Sequence, residues 1–432
     1  MDSASIEKNY ASSRERYAGL GVDTEKALAA LGRIPLSLHC RQEADGASGT
    51  AAAREPGNIR ELREDLHAAF SLIPGRHRFG LRAVHAESSE GLVERNALEP
   101  SHFRGWVEWA KQEGLKLDFS AACYGHPLAA SGFTLSHREK DVRRFWVEHV
   151  RGCRKISASI GRELKTPCLH TLHVPDGSAG ALPFDRWTRR GHLCESLNEI
   201  FDVKQSPSQM KDALESRPSE TGDETFAVAS HEFCMGYAMS RGKLLSLNLG
   251  RGLPARSAAD KISAVLQFSD EILIRVSRDI PWDDVRADVP DDGILALARE
   301  IVRGGAPDRV HIGLEDSDAG PNRVGTWAAG ARALLKTLLV ALLEHEGRLR
   351  ELEESGDEAG RRALAEEFRG LPFGAVWDQY CLKSGVPPSG RWRQEVSEYE
   401  RKAGASQKTL AHRSSSPENS PGRGPSLPLT KR

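Results

Sequence analysis

Eight short apolar runs punctuate the chain: "IPLSLH" (34–39), "RFGLRAV" (78–84), "LKLDF" (115–119), "CLHTLHV" (168–174), "FAVAS" (226–230), "LLSLN" (244–248), "EILIRVS" (271–277) and "RVHIGL" (309–314). They are rich in Leu, Val, Ile and Phe, as strands covered on both faces are. Most are separated by stretches whose apolar residues recur at helical spacing. "NIRELREDLHAAFSLI" is one, and "SHFRGWVEWAKQEG" opens on a Ser cap and stops at Gly. "HREKDVRRFWVEHVRGCRKISASIGREL" and "NRVGTWAAGARALLKTLLVALLEHEGRLRELEESG" are longer amphipathic runs. Eight strands alternating with helices predict an α/β protein of the (β/α)8 TIM-barrel class. One irregularity stands out, the short link between the fifth and sixth strands.

The pattern places the barrel in residues 1–321 and a C-terminal helical extension in 322–402. From 403 the chain turns to Ser, Pro, Gly, Lys and Arg, which cannot bury enough apolar surface to fold, so 403–432 reads as a disordered tail. The 432 residues carry 60 basic and 61 acidic side chains, which leaves no electrostatic footprint for nucleic acid or a membrane surface. The N-terminus, "MDSASIEKNYASSRERY", is too polar for a secretory signal. Seven cysteines without a C-x-x-C pair argue against a disulfide framework or structural zinc and point to a cytoplasmic setting.

In a barrel of this class the chemistry sits at the C-terminal ends of the strands. The polar residues expected there include His39, Arg41, Arg82, Asp118, His173, Glu232, Asn248, Arg251, Arg275, Arg278, Asp283, Asp284, Glu315, Asp316 and Asp318. Glu232, Asp283, Asp284 and Asp318 come from different strand ends. Converging carboxylates with a few His suit Mn²⁺ or Mg²⁺, although acidic residues at strand ends also cap the helices that follow.

Several stretches resemble bacterial L-rhamnose isomerase, in order and at similar spacing, from about residue 7 to 402. They are "WVEWAKQEGLKLDF" (106–119), "GFTLSHREKDVRRFW" (132–146), "VPDG" (174–177), "HEFCMGYAMSR" (231–241), "DKIS" (260–263), "VSR" (276–278), "RVHIGLE" (309–315) and "LPFGAVWDQYC" (371–381). The resemblance implies a cytoplasmic barrel, a homo-oligomer (usually a tetramer), and interconversion of L-rhamnose and L-rhamnulose. It implies two divalent metals, typically Mn²⁺, that hold the open-chain sugar and polarise its oxygens.

Carried over residue by residue, the resemblance assigns Glu232 to the structural metal through the family's N-E-F-type motif, and Asp318 through an Asp after the last strand. At the Asp of the family's L-D-A-G-H stands Asn248, and at the His of L-H-V-S-R stands Arg275. For the catalytic metal, Arg251 replaces the His of L-D-A-G-H. Asp283 matches the first Asp of W-D-x-D, and Val285 replaces the second, with Asp284 between them. Other mouth positions differ too: Arg41 for a Trp, Arg82 for a His, and His173 for a Trp before the I-P-D-G motif.

Two of these changes put a permanent cation where a metal is expected, and Arg has no lone pair to offer a metal near neutral pH. The expectation is that Arg275 pairs with Glu232 and Asp318, and Arg251 with Asp283, in place of the ions. Three functions are then open: an impaired or inactive family member that binds sugar or supports a partner, a working isomerase with rearranged ligands, or a protein for an acidic or phosphorylated sugar that uses the arginines.

Overall fold

The computed structural model describes residues 2–40, 59–89, 91–178, 184–215, 226–249, 255–277, 292–316 and 323–414. Residues 1–389 form one compact unit and 390–432 a second, whose described part is one helix, α14 (Arg391–Ser414). The first unit opens with α1 (Ser3–Gly19) and α2 (Thr24–Leu31). Each is started by an aspartate that accepts backbone N–H bonds: Asp2 from Ser5, and Asp23 from Glu25 and Lys26.

Eight strand–helix units follow: β1 (Pro35–Cys40), α3 (Ile59–Phe70), β2 (Arg76–Arg82), α4 (Arg104–Gln112), β3 (Lys116–Ala121), α5 (Lys140–Leu164), β4 (Cys168–His173), α6 (Arg186–Asp202), β5 (Met210–Glu215), α7 (His231–Ser240), β6 (Leu244–Leu249), α8 (Ala255–Val265), β7 (Ile272–Ser277), α9 (Asp292–Arg303), β8 (Val310–Asp316) and α10 (Arg323–Leu342). The strands pair in parallel, in sequence order, and β8 closes on β1 through Leu36↔Ile312 and Leu38↔Leu314. The fold is the expected TIM barrel. Three further helices, α11 (Glu346–Glu354), α12 (Glu358–Arg369) and α13 (Phe373–Lys383), complete the first unit, and α13 packs on α1.

Seven of the eight expected strands form within a few residues of their predicted bounds. The fifth does not. Phe226–Ala227 is only half of a two-residue antiparallel pair with Gly177–Ser178, and the fifth barrel strand is "MKDALE", Met210–Glu215. Its two adjacent charges hide it in the sequence. Lys211 pairs with Glu271 at 2.5 Å, and Asp212 sits in a buried ion cluster on the outer face of the strand. This correction also removes the short link between the fifth and sixth strands, because α7 now connects β5 to β6.

Helix α10, which begins where the extension was expected to start, is buried almost all round and packs on α3, α9, β1 and β8. At the other end α14 runs to Ser414, twelve residues into the stretch read as a disordered tail, and 415–432 lie outside the described residues.

Asp212 shows how the charged fifth strand is tolerated. Its carboxylate accepts from Arg154 Nε at 2.9 Å and Nη2 at 3.1 Å, from Lys243 Nζ at 2.8 Å, and contacts His170 Nδ1 at 3.2 Å. Arg154 Nη1 also donates to the carbonyls of Ile200 and Val203, so the end of α6 is tied to α5 and β5. Burial raises the Asp212 carboxyl, but His170, Arg154 and Lys243 together hold it well below the usual range. Removing one partner strands a buried charge. Arg154→Ala is therefore expected to cost about 3–5 kcal/mol in urea unfolding. An Asp212→Ala/Arg154→Ala double variant should lose less than the sum of the two single changes. Strict additivity would show that the cluster does not hold these elements together.

Candidate functional site

Among the described residues, charged side chains make contacts inside the barrel at two levels. The lower ones centre on Asp118 of β3. It accepts from Arg78 of β2 (Nη2 at 2.6 Å, Nε at 2.9 Å), from Ser37 Oγ of β1 at 2.8 Å, and from the Leu169 backbone N–H of β4 at 3.0 Å. Burial opposes ionisation of Asp118, but the Arg78 guanidinium outweighs it and the carboxyl falls to about 2. An apolar layer of Leu169, Ala213 and Leu273 lies beside it, from three different strands.

His39 of β1 follows. Its imidazole lies flat against the neighbouring strands because both leave room. A Cβ at Gly80 would meet His39 Nδ1 at 2.0 Å, and one at Gly313 would meet Cδ2 at 3.0 Å. Burial and the nearby Arg275 push the His39 pKa down to about 3, so the ring is neutral at physiological pH.

Arg275 of β7 occupies the mouth. It is 2% exposed, against 4% for Glu215 and 5% for Glu315, so water screens none of the three appreciably. Its Nη1 lies 3.3 Å from Glu215 Oε2 on β5 and 3.7 Å from Glu315 Oε1 on β8, and Nη2 donates to Ser120 Oγ on β3 at 3.0 Å. β7 does not neighbour β5 or β3, so these contacts pass through the interior and one guanidinium links four strands. Asn248 of β6, paired in register with Arg275, donates its Nδ2 to Glu315 Oε2 at 2.7 Å. His173 of β4 brings Nδ1 to 3.3 Å from Glu215 Oε1. Burial raises the Glu215 carboxyl, yet Arg275, then His173 and Asn248, pull it below the usual range. At these separations and an effective dielectric near 20, each charge contact is worth about 4 kcal/mol before desolvation.

Of the residues singled out from sequence, Arg275, Asn248, His39, His173 and Glu315 meet here. Arg82 lies at the end of β2, where Nη1 reaches Tyr124 Oη at 3.4 Å. Arg41, Arg251, Arg278, Asp283, Asp284, Val285 and Asp318 lie outside the described residues, so the proposed Arg251–Asp283 pair does too. Glu232 is a correction. It is exposed in the first turn of α7, where Ser230 caps the helix and its hydroxyl donates to Glu232 Oε2 at 2.8 Å. The expected pairing of Arg275 with Glu232 is replaced by pairing with Glu215 and Glu315. Glu215 was missed because its strand was missed. The signal was "ALES", an apolar run ending on a carboxylate before a turn-rich stretch.

The divalent metal implied by the resemblance does not fit this part of the mouth. Arg275 and Asn248 present N–H donors to the carboxylates, where a metal would need lone pairs.

Two predictions follow from this geometry. Gly80→Ala should destabilise the protein by roughly 1–3 kcal/mol through overpacking on His39. His39→Ala in the same chain should relieve most of that loss, and an unchanged loss would refute the cradle. The second concerns acid. Asp118 is ordinarily near 3.8 and falls to about 2 in the fold, so its contribution is full above 3.8 and disappears as the pH falls toward 2. A pH series of unfolding midpoints should lose this limb in Asp118→Asn, and an unaltered limb would assign acid sensitivity elsewhere.

Comparison with known proteins gives the family. The sequence profile of "L-rhamnose isomerase (RhaA)" matches residues 4–406. The L-rhamnose isomerase of Rhodopirellula baltica is 42% identical over 409 residues, 91% of this chain and 95% of that protein. That of Pectobacterium carotovorum is 44% identical over 412 residues, 92% and 98% respectively. Among solved structures, a D-psicose 3-epimerase from Clostridium cellulolyticum superposes with a TM-score of 0.44 at 10% identity, over 71% of this chain and 96% of that one. The barrel assignment rests on strand pairing and not on that likeness. With a profile match over nearly its whole length and relatives above 40% identity, the chain belongs to the L-rhamnose isomerase family.

Proposed function

We propose that this family member has lost most or all of the L-rhamnose to L-rhamnulose reaction and keeps a barrel mouth suited to a neutral sugar. The observation that carries this reading is Arg275, buried between Glu215 and Glu315. Aldose–ketose isomerisation needs an electrophile on the substrate oxygens while hydrogen moves between adjacent carbons. Arg275 is buried between two carboxylates and Ser120, so its guanidinium is enclosed by the barrel's own side chains and not presented to a substrate oxygen. A guanidinium is a donor only and has no lone pair with which to serve as a base. His39 is neutral but wholly enclosed, and Glu215 is an ionised carboxylate held by its neighbours. Nothing in this group combines a free electrophile with an accessible base.

The charge count argues against an acidic or phosphorylated sugar at this position. Among the described residues two carboxylates face the Arg275 guanidinium, which disfavours an anion beside them. A working isomerase with rearranged ligands would draw on Asp284, Asp316 and His231 beside the retained Asp283 and Asp318. Family resemblance supports a homo-oligomer, a tetramer by analogy, and a cytoplasmic setting. Six of the seven cysteines are buried, in keeping with a reducing compartment. No single described helix is long and apolar enough to cross a membrane.

The test is turnover of L-rhamnose with Mn²⁺ in excess, beside the Pectobacterium relative, with calorimetric titration of L-rhamnose and of a sugar phosphate. We expect kcat/KM at least about a thousandfold below the relative, the scale on which removal of essential electrostatic stabilisation acts, and binding of the neutral sugar only. Turnover within tenfold of the relative would overturn the reading.

A further inference from the structure

The buried mouth of the barrel is incompletely paired. Among the described residues, the acceptors Glu215 Oε2 and Asn248 Oδ1 and the donor Arg275 Nε are buried without a hydrogen-bond partner, and all three belong to one group. The guanidinium touches Glu215 and Glu315 at ion-pair distance without an aligned hydrogen bond to either, whereas its bond to Ser120 is well formed. Its service to the carboxylates is thus mainly that of a positive charge at a fixed point. Like carboxylates in a site this enclosed repel strongly unless a cation stands between them.

We propose that Arg275 is a tethered counter-cation that makes the closure of the barrel mouth independent of bound metal, and that deleting its side chain opens a site a divalent cation can fill. The ligands of that latent site are Glu215, Glu315 and the carbonyl oxygen of Asn248. All are oxygens, which suits a hard ion such as Mn²⁺. The amide of Asn248 has to turn for this, from donating to Glu315 to presenting Oδ1, and an amide can do so by rotation about its terminal torsion. The inference rests on the reading that no resident metal sits beside Arg275, but not on the loss of turnover.

Thermal unfolding of the full chain tests it, with EDTA or with millimolar MnCl₂, on the natural protein, Arg275→Ala and Arg275→Lys. The natural protein should give the same Tm in both buffers. Arg275→Ala should unfold several degrees lower in EDTA and regain much of that shift with Mn²⁺. Arg275→Lys keeps the charge and should sit between them, with little response to metal. A Tm of the natural protein that moves with Mn²⁺ or EDTA would overturn the proposal, and so would an Arg275→Ala that matches it in EDTA or gains nothing from Mn²⁺. If Arg275→Ala does not fold in EDTA, folding restored by Mn²⁺ in the refolding buffer supports the proposal and failure in both buffers counts against it. Turnover in a protein whose Tm ignores metal would reject the functional reading and leave this inference standing.

Discussion

A closed barrel forces strand ends together, and here it forces Glu215 and Glu315 into one buried space. That constraint governs the rest of the mouth. The two carboxylates leave β5 and β8, which are not neighbours, and only a cation in the interior can face both. Arg275 supplies it from β7, and Ser120 fixes the far edge of the guanidinium from β3. Asn248 then binds the remaining Glu315 oxygen. Below it the small residues at 80 and 313 make room for a neutral His39, whose imidazole adds no charge beside Arg275. Each of these features fits a guanidinium fixed at the mouth between two carboxylates.

The same logic explains how the scaffold accommodates unusual residues. An arginine in a barrel interior is costly alone, because desolvation penalises the charge. Here it falls where the fold has already placed two carboxylates, so one burden offsets the other. The second interior pair, Arg78 with Asp118, follows the same rule nearer the base, and Arg154 with Asp212 follows it outside the sheet. Ion pairs of this sort stabilise by being complete. Losing half of one does more harm than replacing both halves with packed apolar groups.

Much of this was legible in the sequence, and the failures have physical causes. Leu-, Val- and Ile-rich strands announce themselves because both faces are covered, which is why seven of them were placed. "MKDALE" escaped because its two charges belong to partners that only the folded chain supplies: Lys211 to Glu271, and Asp212 to Arg154. Missing that strand meant missing Glu215 and assigning its place to Glu232, whose neighbour Ser230 marks it as a helix start. Arg275 was recognisable as a cation out of place, yet its partners were not, since partner choice depends on strand order around the barrel and on which way each side chain points. The helix that continues to Ser414 escaped for another reason. Serine, lysine and glutamine in "GASQKTLAHRS" look like tail composition, although they tolerate a helix well enough when one is already running into them.

The most direct check is where manganese goes in a crystal. Anomalous diffraction from crystals soaked in MnCl₂ locates the ion without reference to activity or stability. The account predicts no anomalous peak within coordination distance of the Glu215 or Glu315 carboxylates, with Arg275 density filling the space between them. A manganese peak bonded to either carboxylate, with Arg275 swung aside, would contradict it.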